Sequence, residues 1–422
     1  MKKICVIGLG YIGLPTATMF AVSGYKVVGV DVKKDVVETI NQGNIHIEEP
    51  GLSEMVKGAV SKGNLKASTK PEESDVYIIA VPTPLTQDKK IELKYLKNAI
   101  ESLEKVLKKG DTVIVESTIA PRTTEDFILP ILEEMGFDPK KDLYLSHCPE
   151  RVLPGQIINE LMNNNRVIGG TTKEAALKAR KIYESFVNGE MYITDATTAE
   201  MVKLMENTFR DVNIALVNEL AKISKKIKID IWEAVDLANK HPRVNLHKPG
   251  PGVGGHCLAI DPWFIVEKAP EKSKIIKLSR DTNNSMPGFV VKDIEENLGK
   301  INNPKIAILG ITYKGNVDDL RESPVLDIID KFEQKGYDLG IYDPYVKNFK
   351  YETVSLENAV KEADLLIVGA DHRDFKYIFP DKISELMRNN ILYDTKNILD
   401  HKAWEKSGFK VMKLGGYNIK NW

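Results

Sequence analysis

The chain has 422 residues, 59 Lys and Arg against 60 Asp and Glu, a formal net charge of -1 and 42% hydrophobic residues. That length exceeds one compact core and points to about three domains of roughly 150 residues. Near-neutrality excludes a global field that would draw nucleic acid or an anionic membrane, so an anionic ligand must be held by local groups.

Cys5, Cys148 and Cys257 are odd in number and far apart. They form neither a disulfide framework nor a Cys-x-x-Cys zinc pattern, so no metal site is expected and a reducing, cytoplasmic setting is. The start, Met1-Lys2-Lys3 before an apolar run, superficially resembles a signal peptide. Glycines at 8, 10 and 13 and Pro15 interrupt it, and the pattern continues into a second strand, Val27 to Val30. No segment reads as a membrane span.

Short β-rich runs (Ile4 to Ile7, Val27 to Val30, Val76 to Val81, Val113 to Val115, Leu143 to Ser146) alternate with amphipathic stretches to about residue 190. This alternation predicts a parallel, doubly wound sheet. Gly8-Leu9-Gly10-Tyr11-Ile12-Gly13 follows the first run and opens a helix, and Asp31 ends the next run 18 residues beyond Gly13. Together these predict a dinucleotide site, with pyrophosphate on the helix N-terminus and ribose hydroxyls on Asp31. A carboxylate there favours NAD over NADP, tempered by Lys33 and Lys34. Val81-Pro82-Thr83-Pro84 and Glu116-Ser117-Thr118 read as strand-end loops on the same crevice, or as plain β-to-α turns.

Downstream, Ser146-His147-Cys148-Pro149-Glu150-Arg151 offers Glu150 and Arg151 for handling substrate or water. Thr197-Thr198-Ala199-Glu200 reads as a capping box opening one long helix to about Lys226. On it Lys203, Asn207 and Arg210 share a stripe, while Met201, Leu204, Met205, Val212 and Leu216 supply apolar packing. A solvated face would also explain the polar stripe.

His241, Arg243 and His247 precede Pro249-Gly-Pro-Gly-Val-Gly-Gly-His-Cys257-Leu-Ala-Ile-Asp261-Pro262. A free cysteine is commonly a small buried hydrophobe. The surrounding glycines point instead to a displayed thiol, and a nearby cation such as Lys203 would raise its thiolate fraction. Cys5 reads as core. After Asn302-Asn303-Pro304, a strand, a loop from Ile311 to Pro324, a helix capped by Ser323 and a strand ending in Asp343 repeat the opening layout. Tyr313, Lys314 and Arg321 in that loop suit a nucleotide with phosphates; a purely structural loop is the alternative.

The expected fold is therefore α/β, two Rossmann-like doubly wound domains joined by a central helical region with one long helix. Boundaries fall at 1–190, 191–300 and 301–422.

These motifs together resemble the nucleotide-sugar 6-dehydrogenase family, which includes UDP-glucose and GDP-mannose dehydrogenases, over essentially the whole chain. Within it, Cys148-Pro149-Glu150-Arg151-Val152 and the cysteine segment are most similar to the branch acting on UDP-N-acetyl-D-mannosamine; UDP-glucose enzymes more often carry Asn-Pro-Glu-Phe-Leu at the former. The resemblance implies a two-step oxidation of the sugar C6 alcohol to a carboxylate, with two NAD used in turn and a thiohemiacetal and thioester on Cys257. It implies proton transfer and oxyanion support by Lys203, help from Asn207, and assistance by Asp261 in the thioester stages. It implies substrate contacts at Arg151, Val152, Asn207, Arg210, His241, Arg243 and Gly254, with Tyr313 and Lys314 at the nucleotide end. It implies a cofactor site of Gly8, Gly10, Tyr11, Ile12, Gly13 and Asp31 completed by Thr83, Thr118 and Arg321. A homodimer or larger homo-oligomer is implied, supplying uronic acid donors for surface polysaccharides or protein-linked glycans.

Competing readings are a UDP-glucose or UDP-N-acetylglucosamine dehydrogenase, a β-hydroxyacid dehydrogenase, which needs neither Cys257 nor the second Rossmann-like domain, and a metal- or nucleotide-binding protein using His147-Cys148 and His256-Cys257.

Overall fold

A computed structural model describes residues 2–299, 301, 303–346 and 350–416; Asn302 of the expected linker lies outside them. The chain divides into two compact units, Met1–Glu206 with Trp263–Pro270, and Asn207–Pro262 with Glu271–Trp422.

The first unit is built on eight strands: β1 (Lys3–Ile7), β2 (Lys26–Val30), β3 (Leu65–Ser68), β4 (Val76–Ile79), β5 (Thr112–Val115), β6 (Tyr144–His147), β7 (Arg166–Gly170) and β8 (Met191–Asp195). They lie in the order β3-β2-β1-β4-β5-β6-β7-β8. All neighbours are parallel except β6 and β7. Alternate residues feed opposite faces: Ile4, Val6, Val76 and Ile78 join one core, Cys5, Ile7, Tyr77 and Ile79 the other. That two-sided burial explains the near-continuous apolar runs. The sequence reading missed β3, β7 and β8. Leu65-Lys66-Ala67-Ser68 is short and mixed, and β7 starts on an arginine and ends on two glycines.

The second unit carries β9 (Lys305–Leu309), β10 (Asp338–Tyr342), β11 (Leu365–Val368), β12 (Ile391–Asp394) and β13 (Lys410–Lys413), in the order β10-β9-β11-β12-β13. Every pair in it is parallel. Ile306 and Ile308 pack into one cluster, Ala307 and Leu309 into another. A helix fills Pro324–Gln334; Ser323 stands at its cap position but its hydroxyl makes no cap hydrogen bond.

The long helix spans Ala196–Ile227, 32 residues. Its start corrects the expected capping box. Asp195 supplies the cap, accepting from the Thr198 N–H at 2.8 Å and the Thr198 hydroxyl at 2.6 Å. Glu200, cast as the returning partner, instead accepts from Arg122 N, Thr124 N and the Thr124 hydroxyl at 2.6–2.7 Å. Met205 and Leu216 also depart from expectation, since both are exposed rather than packed. Among the described residues no helix is long and apolar enough to cross a membrane.

Candidate active site

The cofactor end of the first unit follows from three glycines with three different jobs. Gly8 has φ +91°, a left-handed geometry that favours glycine. A Cβ on Gly13 would lie 1.7 Å from the Gly8 carbonyl oxygen, so the helix Gly13–Val22 can start there only without a side chain. A Cβ on Gly10 would meet nothing within 4 Å, which leaves the backbone open to a close ligand. Tyr11 is exposed and Ile12 half-buried on the same turn.

Asp31 is half-buried and its carboxylate accepts from Leu9 N at 3.1 Å and Lys33 N at 3.0 Å, so it is fixed at the mouth of the turn. The two strand-end loops are joined to each other: the Thr83 hydroxyl donates to the Thr118 carbonyl at 2.6 Å and Ser117 to the Val81 carbonyl at 2.7 Å. These residues fit a dinucleotide, with donors at a helix N-terminus, an acceptor for ribose and no side chain in the way.

Beyond β6 the chain turns through Glu150 and Arg151. Lys203 on the long helix donates to the Glu150 carbonyl at 2.5 Å. Arg151 is clamped by Glu206, with Nε and Nη2 at 3.0 and 2.6 Å from the carboxylate. Val152 packs at the edge of the apolar core.

In the second unit, Cys257 is exposed whereas Cys5 and Cys148 are buried. Its carbonyl accepts from Ile260 N at 3.1 Å and Asp261 N at 2.8 Å, the turn that starts the helix Asp261–Lys268 and explains the four-residue spacing to the carboxylate. The buried Asp261 carboxylate accepts from the Asn207 amide at 2.6 Å. A Cβ on Gly254 would lie 2.4 Å from the Glu322 carbonyl oxygen and 2.6 Å from Tyr313 Cβ; one on Gly255 would lie 2.8 Å from the Tyr313 ring. The glycines before Cys257 thus leave the space that Tyr313 occupies.

Arg321 stands beside the same segment. Its carbonyl accepts from Gly255 N at 2.9 Å, and its guanidinium is forked onto Asp319 at 2.7–3.1 Å. That Asp319 bond, with Tyr313 and Cys257 adding to it, holds Arg321 charged against partial burial. Arg210, His241, Arg243 and Lys314 are exposed, and the His241 ring accepts from Arg243 N at 3.3 Å. Burial, then Arg210, lowers the His247 pKa.

Three family models match. The NAD-binding domain of the UDP-glucose/GDP-mannose dehydrogenase family covers residues 2–187, its central domain 197–285 and its UDP-binding domain 307–401. The chain belongs to the UDP-glucose/GDP-mannose dehydrogenase family. It is an NAD-dependent nucleotide-sugar dehydrogenase. Over 98% of its length it is 52% identical to a Methanocaldococcus jannaschii protein named UDP-N-acetyl-D-mannosamine dehydrogenase, of which 96% is matched. A solved Pyrococcus horikoshii UDP-D-ManNAc dehydrogenase superposes with a TM-score of 0.93 at 43% identity, covering 99% of this chain and 100% of that one. An NDP-N-acetyl-D-galactosaminuronic acid dehydrogenase of Ralstonia nicotianae is 42% identical over 95% of this chain and 97% of its own.

Within this dehydrogenase the structure adds groups that the sequence did not single out. Arg166, buried on β7, faces Glu150 at 3.4 Å and the Cys148 sulfur at 3.7 Å, and lies 4.6 Å over the Tyr183 ring. Tyr183 donates to Glu116 at 2.6 Å, and Thr16, on the fingerprint helix, donates to it at 3.3 Å. Burial pushes the Glu116 carboxyl up to about 7, opposed by Arg166. Burial likewise pushes the Cys148 thiol up to about 11 and the His147 imidazole down to about 3. Cys148 is therefore an inert thiol.

In the second unit a buried network brackets the cysteine segment. Arg280 pairs with Asp211 at 2.5 Å and reaches the Leu258 carbonyl at 3.4 Å. Asn283 binds Asp211 and accepts from Asn218, which in turn accepts from Gly250 N at 2.9 Å. Lys396, just past β12, has its ammonium 3.8 Å from where a Gly250 Cβ would sit, and burial lowers its pKa against the pull of Asp371 and Asp394. Its position after a strand ending in aspartate was the available signal.

Proposed function

We propose that the protein oxidises C6 of UDP-N-acetyl-D-mannosamine from alcohol to carboxylate, giving UDP-N-acetyl-D-mannosaminuronate through a covalent intermediate on Cys257. The observation that carries this reading is the exposed Cys257 on a turn whose glycines are walled by Tyr313 and whose carbonyl is tied to Asp261.

Bound NAD supplies the hydride acceptor for both oxidations. Lys203 moves the C6 hydroxyl proton and steadies the oxyanion. The Cys257 thiol adds to the aldehyde carbon, forming a C–S bond and a thiohemiacetal. Loss of the remaining C6 hydride to the cofactor and of the thiohemiacetal hydroxyl proton to Lys203 leaves a thioester. A water held by Asn207 attacks that carbonyl with help from Asp261, the C–S bond breaks, and the acid and the thiol are released.

Gly8, Gly10, Tyr11, Ile12, Gly13 and Asp31 hold the cofactor, completed by Thr83, Thr118 and Arg321. Arg151, Val152, Arg210, His241, Arg243 and Gly254 contact the sugar, and Tyr313 and Lys314 the nucleotide. The proposed domains are 1–190, 191–300 and 301–422.

We infer a homodimer or larger assembly in the cytoplasm. Phe209, Leu216, Ile223 and Ile227 are exposed at near-heptad spacing along the long helix, an apolar stripe suited to a second copy.

The test incubates the protein with NAD and, separately, UDP-N-acetylmannosamine, UDP-N-acetylglucosamine, UDP-N-acetylgalactosamine and UDP-glucose. Two NADH per uronate from the mannosamine donor alone is expected. Activity with another donor only overturns the choice of sugar, and no turnover overturns the reaction.

A further inference from the structure

The second sheet reproduces the backbone of a dinucleotide turn and then fills it. Gly310, with φ +82°, donates to the Tyr342 carbonyl at 2.8 Å, and Ile311 N donates to Asp343 Oδ2 at 2.8 Å. Where a ribose would meet this carboxylate, the fully buried His372 ring stands instead, its Nε2 3.1 Å from Asp343 Oδ2 and 3.3 Å from the Thr312 hydroxyl. Tyr345 stacks on the ring at 4.8 Å.

The tautomer follows from the partners. His372 Nδ1 accepts from Asn316 N at 2.8 Å, so it carries no proton. Thr312 gives its own hydroxyl proton to the Lys314 carbonyl at 2.8 Å, so Nε2–H is the donor toward Asp343 and Thr312. The ring therefore ties together both ends of the turn 312–316. Asn316 sits at φ +61°, the left-handed geometry that asparagine adopts readily, and the ring holds its N–H there. Gly315 N to Asp371 at 2.8 Å and Arg373 N to the Asn316 side chain at 2.9 Å complete the clasp.

We propose that His372 is a positioning residue for the UDP end of the substrate, its imidazole fixing the turn that presents Tyr313 and Lys314. The proposal rests on the reading of those two residues as nucleotide contacts. It assigns the imidazole to the turn, through Asn316, rather than to the support of Asp343.

The experiment compares His372→Leu, His372→Asn and His372→Gln, measuring UDP affinity by titration calorimetry, KM for the UDP-sugar and for NAD, and melting temperature. The oxygen of Asn takes the place of Nδ1 and can accept from Asn316 N; the longer Gln reaches Asp343 and Thr312 and leaves Asn316 N unpaired. The leucine variant is expected to weaken UDP about tenfold, the worth of roughly one hydrogen bond, with NAD binding unchanged. The asparagine variant should return to within about threefold of wild type and the glutamine variant should not. Equal behaviour of the two amides, or wild-type UDP affinity in the leucine variant, overturns the proposal. If the leucine variant does not fold, the two amides still decide. Failure of the wild-type protein to bind UDP overturns the functional reading and this proposal with it.

Discussion

The two sheets end in the same turn and use it differently. In the first, Gly8 N donates to the Val30 carbonyl and Leu9 N to Asp31; in the second, Gly310 N donates to the Tyr342 carbonyl and Ile311 N to Asp343. The segments leading out of the two turns set them apart. After Gly8 the chain reaches its helix at Gly13, and Gly10 and Asp31 stay open to a ligand. After Gly310 it travels to Pro324 before the helix starts, and a histidine seals Asp343. A shared fold therefore sets where a nucleotide can be met, while loop length and one ring decide which.

The largest way to test this division of labour is Cys257→Ala, which should leave NAD affinity intact and lower uronate formation by about a thousandfold or more. Mass analysis of the product checks it. Full conversion to the acid by that variant would sink covalent catalysis.

Next in size, Arg280→Met should strand the buried Asp211 carboxylate and cost about 3 kcal/mol of stability, read by denaturant unfolding, with thiol accessibility at Cys257 altered. Asp31→Ala and Asp343→Ala then separate the two turns directly. The first should weaken NAD about tenfold and spare UDP; the second should spare NAD and weaken UDP.

The smallest effect concerns the buried carboxyls of the first unit. Glu116 in the folded protein keeps its proton to about pH 7, against an ordinary value of 4.5. Folding therefore binds a proton there. Its contribution to stability is full below about pH 4.5 and falls as pH rises to 7. Glu200, also raised to about 7 by burial, acts in the same sense. Melting temperature should drop by roughly a few degrees between pH 5 and pH 7.5. Glu116→Gln should reduce that slope by roughly half, leaving the share of Glu200, and an unchanged slope would reassign it.

Legibility followed distance along the chain. The glycine turn reaches its acidic strand end 18 residues beyond Gly13 and the cysteine segment is one unbroken run, so spacing along the chain was enough to single both out. Arg280 meets Asp211 across 69 positions and His372 meets Asn316 across 56, and neither has a local pattern to announce it. The start of the long helix shows the same limit at short range. Asp195 and Thr197 are both good caps, and only the buried partners of Glu200 decide between them. Met205 and Leu216 read as packing because periodicity marks an apolar face without saying whether this chain covers it.

The sealing of Asp343 has a temporal consequence. With one open ribose acceptor among the described Rossmann turns, the two proposed oxidations would share a single cofactor position, first one and then the other. Between them the half-oxidised sugar is a reactive aldehyde with nowhere safe to wait. The proposed bond to the Cys257 thiol, kept until the position is replenished, would turn a bottleneck in space into an ordered sequence in time.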